Sequence, residues 1–272
     1  MRTRGTTTTA EGITWYYEQE GTGPDVVLVP DGLGECQMFD GALSRLAARG
    51  FRATTFDMPG MSRSAAAPRA AYEDVTAQKL AAYVASVTAA LGIGVDGAPP
   101  AAFWGCSSGG AAVLALVAGY PERVRCALVH EVPTYHMEDL VSARELGDDD
   151  AVAASLAASV PAGSYARGGD LRAWFALGGD AHARLWRNYP RWARGYPRTI
   201  PPSSPTAPED LARRPLYWTV GADTPASRFL DNVVTAAKNG IDVGCLPGMH
   251  FPYVSHPDAF VKHVADIVSK HL

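Results

Sequence analysis

Five residues, Gly105-Cys106-Ser107-Ser108-Gly109, constrain this chain more than any other feature. A short apolar run, Ala101-Ala102-Phe103-Trp104, leads into them, and a longer apolar stretch over residues 110–120 follows. The run reads as a buried strand and the stretch as a helix. G-x-S-x-G between a strand and a helix is the pattern of a nucleophile elbow. Ser107 then occupies a turn so tight that its own backbone is strained and its hydroxyl points away from the sheet. Gly105 and Gly109 leave room for that turn. The helix that follows directs its free N–H groups at any negative charge that develops above Ser107. A glycine–serine turn that only caps a helix uses the same residues, so the rest of the chain has to supply a base and an oxyanion hole.

Strand-like and helix-like segments alternate on both sides of this motif. Strands are expected at residues 3–9, 13–20, 26–29, 52–56, 101–104, 126–130, 216–220 and 242–246. Helices are expected at 39–49, 74–91, 110–120, 225–239 and 257–271. Repeated βα alternation implies an α/β fold: an eight-stranded, mostly parallel sheet flanked by helices on both faces. The alternation breaks between residues 134 and 208, where helix-like pieces occur without a clear strand and residues 186–208 are dense in Trp, Tyr, Arg and Pro. This stretch reads as a helical cap inserted after strand 6. The expected division is a core of residues 1–133 and 209–272 with a cap of residues 134–208.

The 272 residues carry 47% hydrophobic and 19% charged side chains, which fits a soluble globular protein with a large core. A net charge of −4 with no Lys/Arg run argues against nucleic acid or an anionic membrane as partner. The first nine residues contain no apolar segment of signal-peptide type, and no stretch is apolar for long enough to span a bilayer. A cytoplasmic location is expected. Cys36, Cys106, Cys126 and Cys245 form neither a C-x-x-C pair nor a zinc pattern, so they read as buried free thiols.

Catalytic groups in a parallel sheet sit on loops at the carboxyl ends of strands. Among seven histidines, His250 fits a base best, in Pro247-Gly248-Met249-His250 just past the last strand. His256 shares that loop, but Ser255-His256-Pro257 resembles a helix start. Two carboxylates qualify as the third member that holds the imidazole tautomer. Asp223 follows the seventh strand and Glu131 the sixth; topology slightly favours Asp223, whose position also suits a helix cap. The oxyanion hole needs two backbone N–H groups. One is expected from Ser108, and the other from Gly32 in the loop Pro30-Asp31-Gly32-Leu33-Gly34. No metal or organic cofactor is needed for this chemistry.

Beyond the motif itself, stretches 26–40 (VVLVPDGLGECQMFD), 55–64 (TFDMPGMSRS), 104–109 (WGCSSG) and 246–257 (LPGMHFPYVSHP) resemble the fungal zearalenone lactonases. Those are α/β-hydrolases that open the resorcylic macrolactone of a mycotoxin. The stretch 188–202 (NYPRWARGYPRTIPP) is similar too. The resemblance runs from the first strand to the C-terminus and is weakest at residues 137–180. It implies the α/β-hydrolase fold, a Ser107–His250–Glu131 triad in place of Asp223, and hydrolysis through an acyl-enzyme. It also implies a small apolar lactone bound between core and cap, touched by Asp31, Leu33, Pro133, Trp192 and Phe251, and loss of carbon dioxide from the opened acid. No nucleic acid or membrane partner is expected, and a homodimer is admitted. A general carboxylesterase or carbon–carbon bond hydrolase, and a non-catalytic ligand receptor, are the competing readings.

Overall fold

The structure is a computed structural model that describes residues 1–33, 35–95, 97–134, 150–151 and 175–272. Eight strands form one sheet: β1 (Arg2–Thr8), β2 (Thr14–Glu20), β3 (Asp25–Val29), β4 (Arg52–Phe56), β5 (Ala101–Cys106), β6 (Val124–His130), β7 (Leu216–Gly221) and β8 (Val243–Leu246). Their order is β1-β2-β4-β3-β5-β6-β7-β8. β1 pairs with β2, and β2 with β4, in antiparallel fashion, and every other pairing is parallel.

The central strands are buried on both faces, and their side chains divide with the period of two that a pleated strand imposes. On β3, Val27 and Val29 enter one apolar core while Val26 and Leu28 enter the other. Helices α2 (Ala77–Ala90) and α3 (Ser108–Gly119) contribute Leu80, Val84, Val113 and Leu116 to the first core. Helix α1 (Asp40–Ala48) and the C-terminal helix Pro257–Ser269 contribute Leu43, Leu46, Phe260 and Val264 to the second. Trp104 of β5 lies in that second core, edge-on to Phe260 at 4.9 Å and to Tyr253 at 5.2 Å. This aromatic cluster forms the floor under the loop that carries His250.

Element ends differ from the expected ones for identifiable reasons. β5 runs on to Cys106, and α3 starts at Ser108 and not at residue 110. Gly109 and Gly110 sit within the first turn because neighbouring groups leave no space for a side chain there: a Cβ on Gly110 would lie 2.8 Å from Val132 Cγ2. α2 starts at Ala77, where the Thr76 hydroxyl caps it by accepting the Lys79 N–H at 3.2 Å. The helix expected from residue 225 starts at Leu230. Cys245 is exposed, unlike the buried Cys36, Cys106 and Cys126, because β8 is an edge strand.

The largest difference lies between β6 and β7. Residues 179–203 form one helix, α4 (Gly179–Ser203), with Pro190, Pro197, Pro201 and Pro202 inside it. Each interior proline costs a helix about 3 kcal/mol in isolation. Burial of Leu185, Asn188, Ala193, Tyr196 and Ile200 against the rest of the molecule offsets that. Among the described residues the further α-helices are α5 (Pro208–Leu211), α6 (Leu230–Lys238), α7 (Pro252–Ser255) and the C-terminal α8 (Pro257–Ser269). Among the described residues no helix is long and apolar enough to cross a membrane.

A buried ionic cluster joins α4 to the loops after β3 and β4. Asp57 is fully buried and accepts the N–H of Cys36 at 2.7 Å, the N–H of Arg63 at 2.9 Å and Arg63 Nε at 2.8 Å. Glu35, also fully buried, accepts Arg63 Nη2 at 2.9 Å and Arg184 Nε at 2.9 Å. Burial raises the Asp57 carboxyl against the opposing pull of the Arg63 hydrogen bond. Removing Asp57 leaves the Cys36 N–H and Arg63 Nε in this cluster without their acceptor. Asp57→Ala is therefore expected to lower unfolding free energy by about 3 kcal/mol, measured from urea denaturation curves; a loss below about 1 kcal/mol would contradict this account.

Candidate active site

Strand register brings Ser107 and Glu131 side by side. β5 and β6 pair with Cys106 opposite His130, so the first residue beyond each strand is Ser107 on one and Glu131 on the other. Both have left-handed backbone, with φ of 55° and 46°. Non-glycine residues held there cost of order 1–3 kcal/mol each and persist only where the surroundings over-determine them. The Ser107 N–H donates to His130 O at 3.0 Å and the Glu131 N–H to Thr219 O at 3.2 Å, which continues the ladder past the strand ends. Asn232, fully buried, holds the next peptide: its Oδ1 accepts the Val132 N–H at 2.8 Å and its Nδ2 donates to Val132 O at 2.7 Å.

The elbow glycines serve close approach. Neither Gly105 nor Gly109 is left-handed. A Cβ on Gly105 would lie 2.8 Å from the Gly110 nitrogen, and one on Gly109 would lie 2.8 Å from the Pro30 carbonyl carbon. Side chains at those two positions would force β3 and α3 away from β5. Ser108 opens α3, so its N–H has no acceptor within the helix.

The Glu131 carboxylate is fully buried and hydrogen-bonded on both oxygens. Oε2 accepts His250 Nδ1–H at 2.7 Å, while Oε1 accepts the Gly221 N–H at 2.9 Å and the Thr224 hydroxyl at 2.5 Å. Burial by itself would raise this carboxyl. The His250 hydrogen bond, the charges of His250 and His130 and the Thr224 hydroxyl outweigh burial and hold it at about 2. A carboxylate only accepts, so His250 carries its proton on Nδ1 and Nε2 is left as an acceptor. Asp223, the position that topology favoured, is exposed, and its N–H donates to Gly248 O at 3.0 Å. Its neighbour Thr224 is the residue that reaches Glu131.

The His250 ring lies parallel to Phe229 at 5.6 Å and is tilted against Phe251 at 4.9 Å. Cys106 sits directly beneath it and donates its thiol to His250 O at 3.1 Å. Burial pushes that thiol well above its usual range, with the charges of Asp31 and Glu131 adding to the effect. His130, fully buried, donates Nε2–H to Met249 O at 3.0 Å and takes the Thr219 hydroxyl on Nδ1 at 2.9 Å. Two side chains at the end of the central sheet thus hold two consecutive carbonyls of the His250 loop. The sequence did not assign these contacts, because both side chains act by position in the sheet: Cys106 fills the variable place of the elbow motif and His130 belongs to no motif. His256 makes a local contact with Ser255 Oγ at 2.9 Å and stands at the start of α8 with Pro257 in the first turn, as its sequence context suggested.

The loop after β3 faces this cluster. Asp31 Oδ1 accepts the Leu33 N–H at 3.2 Å, so the side chain braces its own turn. Gly32 is buried, and the rings of Trp192 and Tyr196 occupy the space its Cβ would need, with Trp192 Nε1 2.7 Å from that point. Leu33 and Phe251 are buried, and Pro133 and Trp192 are half-buried. Trp192 packs against both apolar cores, edge-on to Tyr189 at 6.2 Å.

The register of the sheet, the strained serine and the buried acid–imidazole pair define a class. A family model described as the alpha/beta hydrolase fold matches residues 25–231, and the chain belongs to that family. A solved enol-lactonase from Burkholderia xenovorans superposes with a TM-score of 0.74 at 20% identity, covering 97% of this chain and 100% of its own, which is a likeness of fold. A zearalenone hydrolase from Bionectria ochroleuca is 58% identical over 273 residues, 100% of both chains. A second, from Cladophialophora bantiana, is 53% identical over 271 residues, 100% of this chain and 98% of its own. Within the α/β hydrolases, this chain is a member of the zearalenone hydrolase family.

The buried pair sets an acid limit on the fold. Burial pushes the His130 imidazole down to about 4, against the pull of the Glu131 charge. Below about pH 6.5 the unfolded chain takes up a proton at position 130 that the native site refuses until about pH 4, so stability falls through that window. Glu131, depressed to about 2, stabilises the fold above about pH 4.5, and that contribution is lost as pH falls toward 2. Urea denaturation across a pH series is expected to show both declines, and His130→Gln is expected to flatten the upper one. An unchanged slope between pH 6.5 and 4.5 in that variant would contradict the assignment.

Proposed function

We propose that this chain hydrolyses the ester bond of a resorcylic macrolactone, zearalenone and its reduced alcohols, through an acyl-enzyme on Ser107. The observation that carries the reading is the 2.7 Å hydrogen bond from His250 to a fully buried Glu131, on a strand end in register with the strained Ser107. Full-length relatives named zearalenone hydrolase support the substrate class. Ser107 attacks the lactone carbonyl while His250 Nε2 takes its proton. Glu131 keeps the imidazole in the Nδ1–H tautomer and stabilises the imidazolium that forms. The N–H groups of Gly32 and Ser108 receive the oxyanion. His250 then returns the proton to the leaving alkoxide, which stays attached to the acyl chain because the ester closes a ring. Water, deprotonated by His250, releases the hydroxy acid and restores Ser107.

In this reading residues 134–208, of which 135–149 and 152–174 lie outside the described residues, are assigned to a cap and residues 1–133 and 209–272 to the core. The substrate lies between them against Asp31, Leu33, Pro133, Trp192 and Phe251. Aromatic and aliphatic walls suit a flat resorcylate ring joined to an aliphatic macrocycle, which offers mostly apolar surface.

Incubation with zearalenone, followed by chromatography of the ring-opened product, tests the reaction. Ser107→Ala is expected to lower turnover roughly a millionfold, and Glu131→Gln roughly ten-thousandfold, both without loss of fold. Near-normal turnover in Glu131→Gln would transfer the role to Asp223. Fast hydrolysis of small nitrophenyl esters with none of the macrolactone would favour a general carboxylesterase.

A further inference from the structure

We propose that helix α4 does more than cover the substrate: through Asn188 and Arg184 it sets the position of the oxyanion loop, which makes these two positioning residues for the core reaction. The inference rests on the proposed function, in which the loop after β3 supplies one oxyanion N–H from Gly32.

Residues four apart lie on one face of a helix. On α4, residues 184, 188, 192 and 196 form such a ridge, and each of them touches the described part of the loop, residues 31–33 and 35–37. Arg184 Nε donates to Glu35 at 2.9 Å, and its Nη2 donates to Gln37 Oε1 at 2.8 Å. Asn188 Nδ2 donates to Leu33 O. Trp192 and Tyr196 fill the space where Gly32 has no side chain.

Asn188 is the centre of this ridge. It is 2% exposed, and each polar atom of its amide is used. Oδ1 accepts the Ser62 N–H at 2.7 Å, and Nδ2 donates to Ser62 Oγ at 2.8 Å as well as to Leu33 O. One side chain of the inserted helix thereby bridges the loop after β3 to the loop after β4. Ser62 has left-handed backbone with φ of 44°, so its N–H reaches Asn188 from a conformation the surroundings must maintain. Next to it, Arg63 binds both Asp57 and the same Glu35 that Arg184 binds.

The bonds within the loop are local. Asp31 Oδ1 receives the Leu33 N–H at 3.2 Å, and Glu35 Oε1 receives the Gln37 N–H at 3.3 Å. Short internal turns fix the loop's shape. Its placement is fixed from outside, by Asp57 and Arg63 on the core side and by Arg184 and Asn188 of α4 on the other. An oxyanion donor is effective only at its working distance, and a shift of about 1 Å costs on the order of a hundredfold in rate.

This predicts a pattern that substrate contact alone does not produce. A small ester such as 4-nitrophenyl acetate reaches Ser107 without spanning the cap, yet still needs the oxyanion hole. Asn188→Leu removes the bond to Leu33 O and both bonds to Ser62. The expected result is a fall in kcat of about 10- to 100-fold on 4-nitrophenyl acetate and on zearalenone alike. KM for zearalenone should change by less than about threefold, and binding of phenylboronic acid, a tetrahedral mimic, should weaken in parallel with kcat. Arg184→Gln leaves Glu35 paired with Arg63 and is held to the same criterion if Asn188→Leu does not fold. A raised KM for zearalenone with an unchanged rate on 4-nitrophenyl acetate would overturn the proposal alone. Activity of Ser107→Ala on both substrates would overturn the proposed function and this inference together.

Discussion

A carboxylate with no access to water has to be satisfied from every side, and the residues that satisfy Glu131 organise this molecule's functional end. His250 takes one oxygen, and Gly221 and Thr224 take the other. Those partners come from the end of β7 and the loops after β7 and β8, and Glu131 itself follows β6, so the bond network joins the three strands at their carboxyl edge. Nearby, the buried rings of Trp104, Tyr253 and Phe260 pack together, with Trp104 stacked on His130 at 6.5 Å. In such surroundings a hydrogen bond to a charged group is stronger than at a surface, and leaving it unmade would be far more costly.

Strain and close packing are concentrated at the same edge. Ser107 and Glu131 are both left-handed, and both are held by ladder hydrogen bonds to the neighbouring strand. Gly105, Gly109 and Gly110 leave no gap in which the elbow could relax. The inserted helix adds a second constraint from above, with four prolines tolerated inside it because its buried face is fully engaged. The loop after β3 is therefore held between the strand end and the inserted helix.

Much of this was legible in the chain. The strand at residues 52–56 falls on the observed β4, and the motif around Ser107 identified the turn and the helix behind it, although that helix starts two residues earlier than apolar content alone suggested. Local composition could not choose between Glu131 and Asp223. Both follow a strand, and the choice depends on which side chain turns inward, which the register of β6 against β7 and the Thr224 hydroxyl decide. The contacts made by His130, Cys106, Asn188 and Asn232 could not be read from the sequence. Each is a single polar residue in an apolar or irregular stretch, and what it does depends on a partner far away in the chain. The proline-dense stretch around Trp192 resembled broken pieces because propensity is a local quantity, whereas burial of one face of α4 is not.

The amino-acid order alone determined the alternation of strands and helices, the strained serine between two glycines and a histidine past the last strand. These are short-range properties, set by side-chain volume, backbone freedom and periodic polarity over a few residues. Only the tertiary structure decided which carboxylate meets the imidazole, which tautomer results and how the inserted helix grips the loop after β3. Those outcomes depend on hydrogen bonds between residues about 90 to 160 positions apart, and such bonds exist only once the sheet has brought its strand ends to one edge.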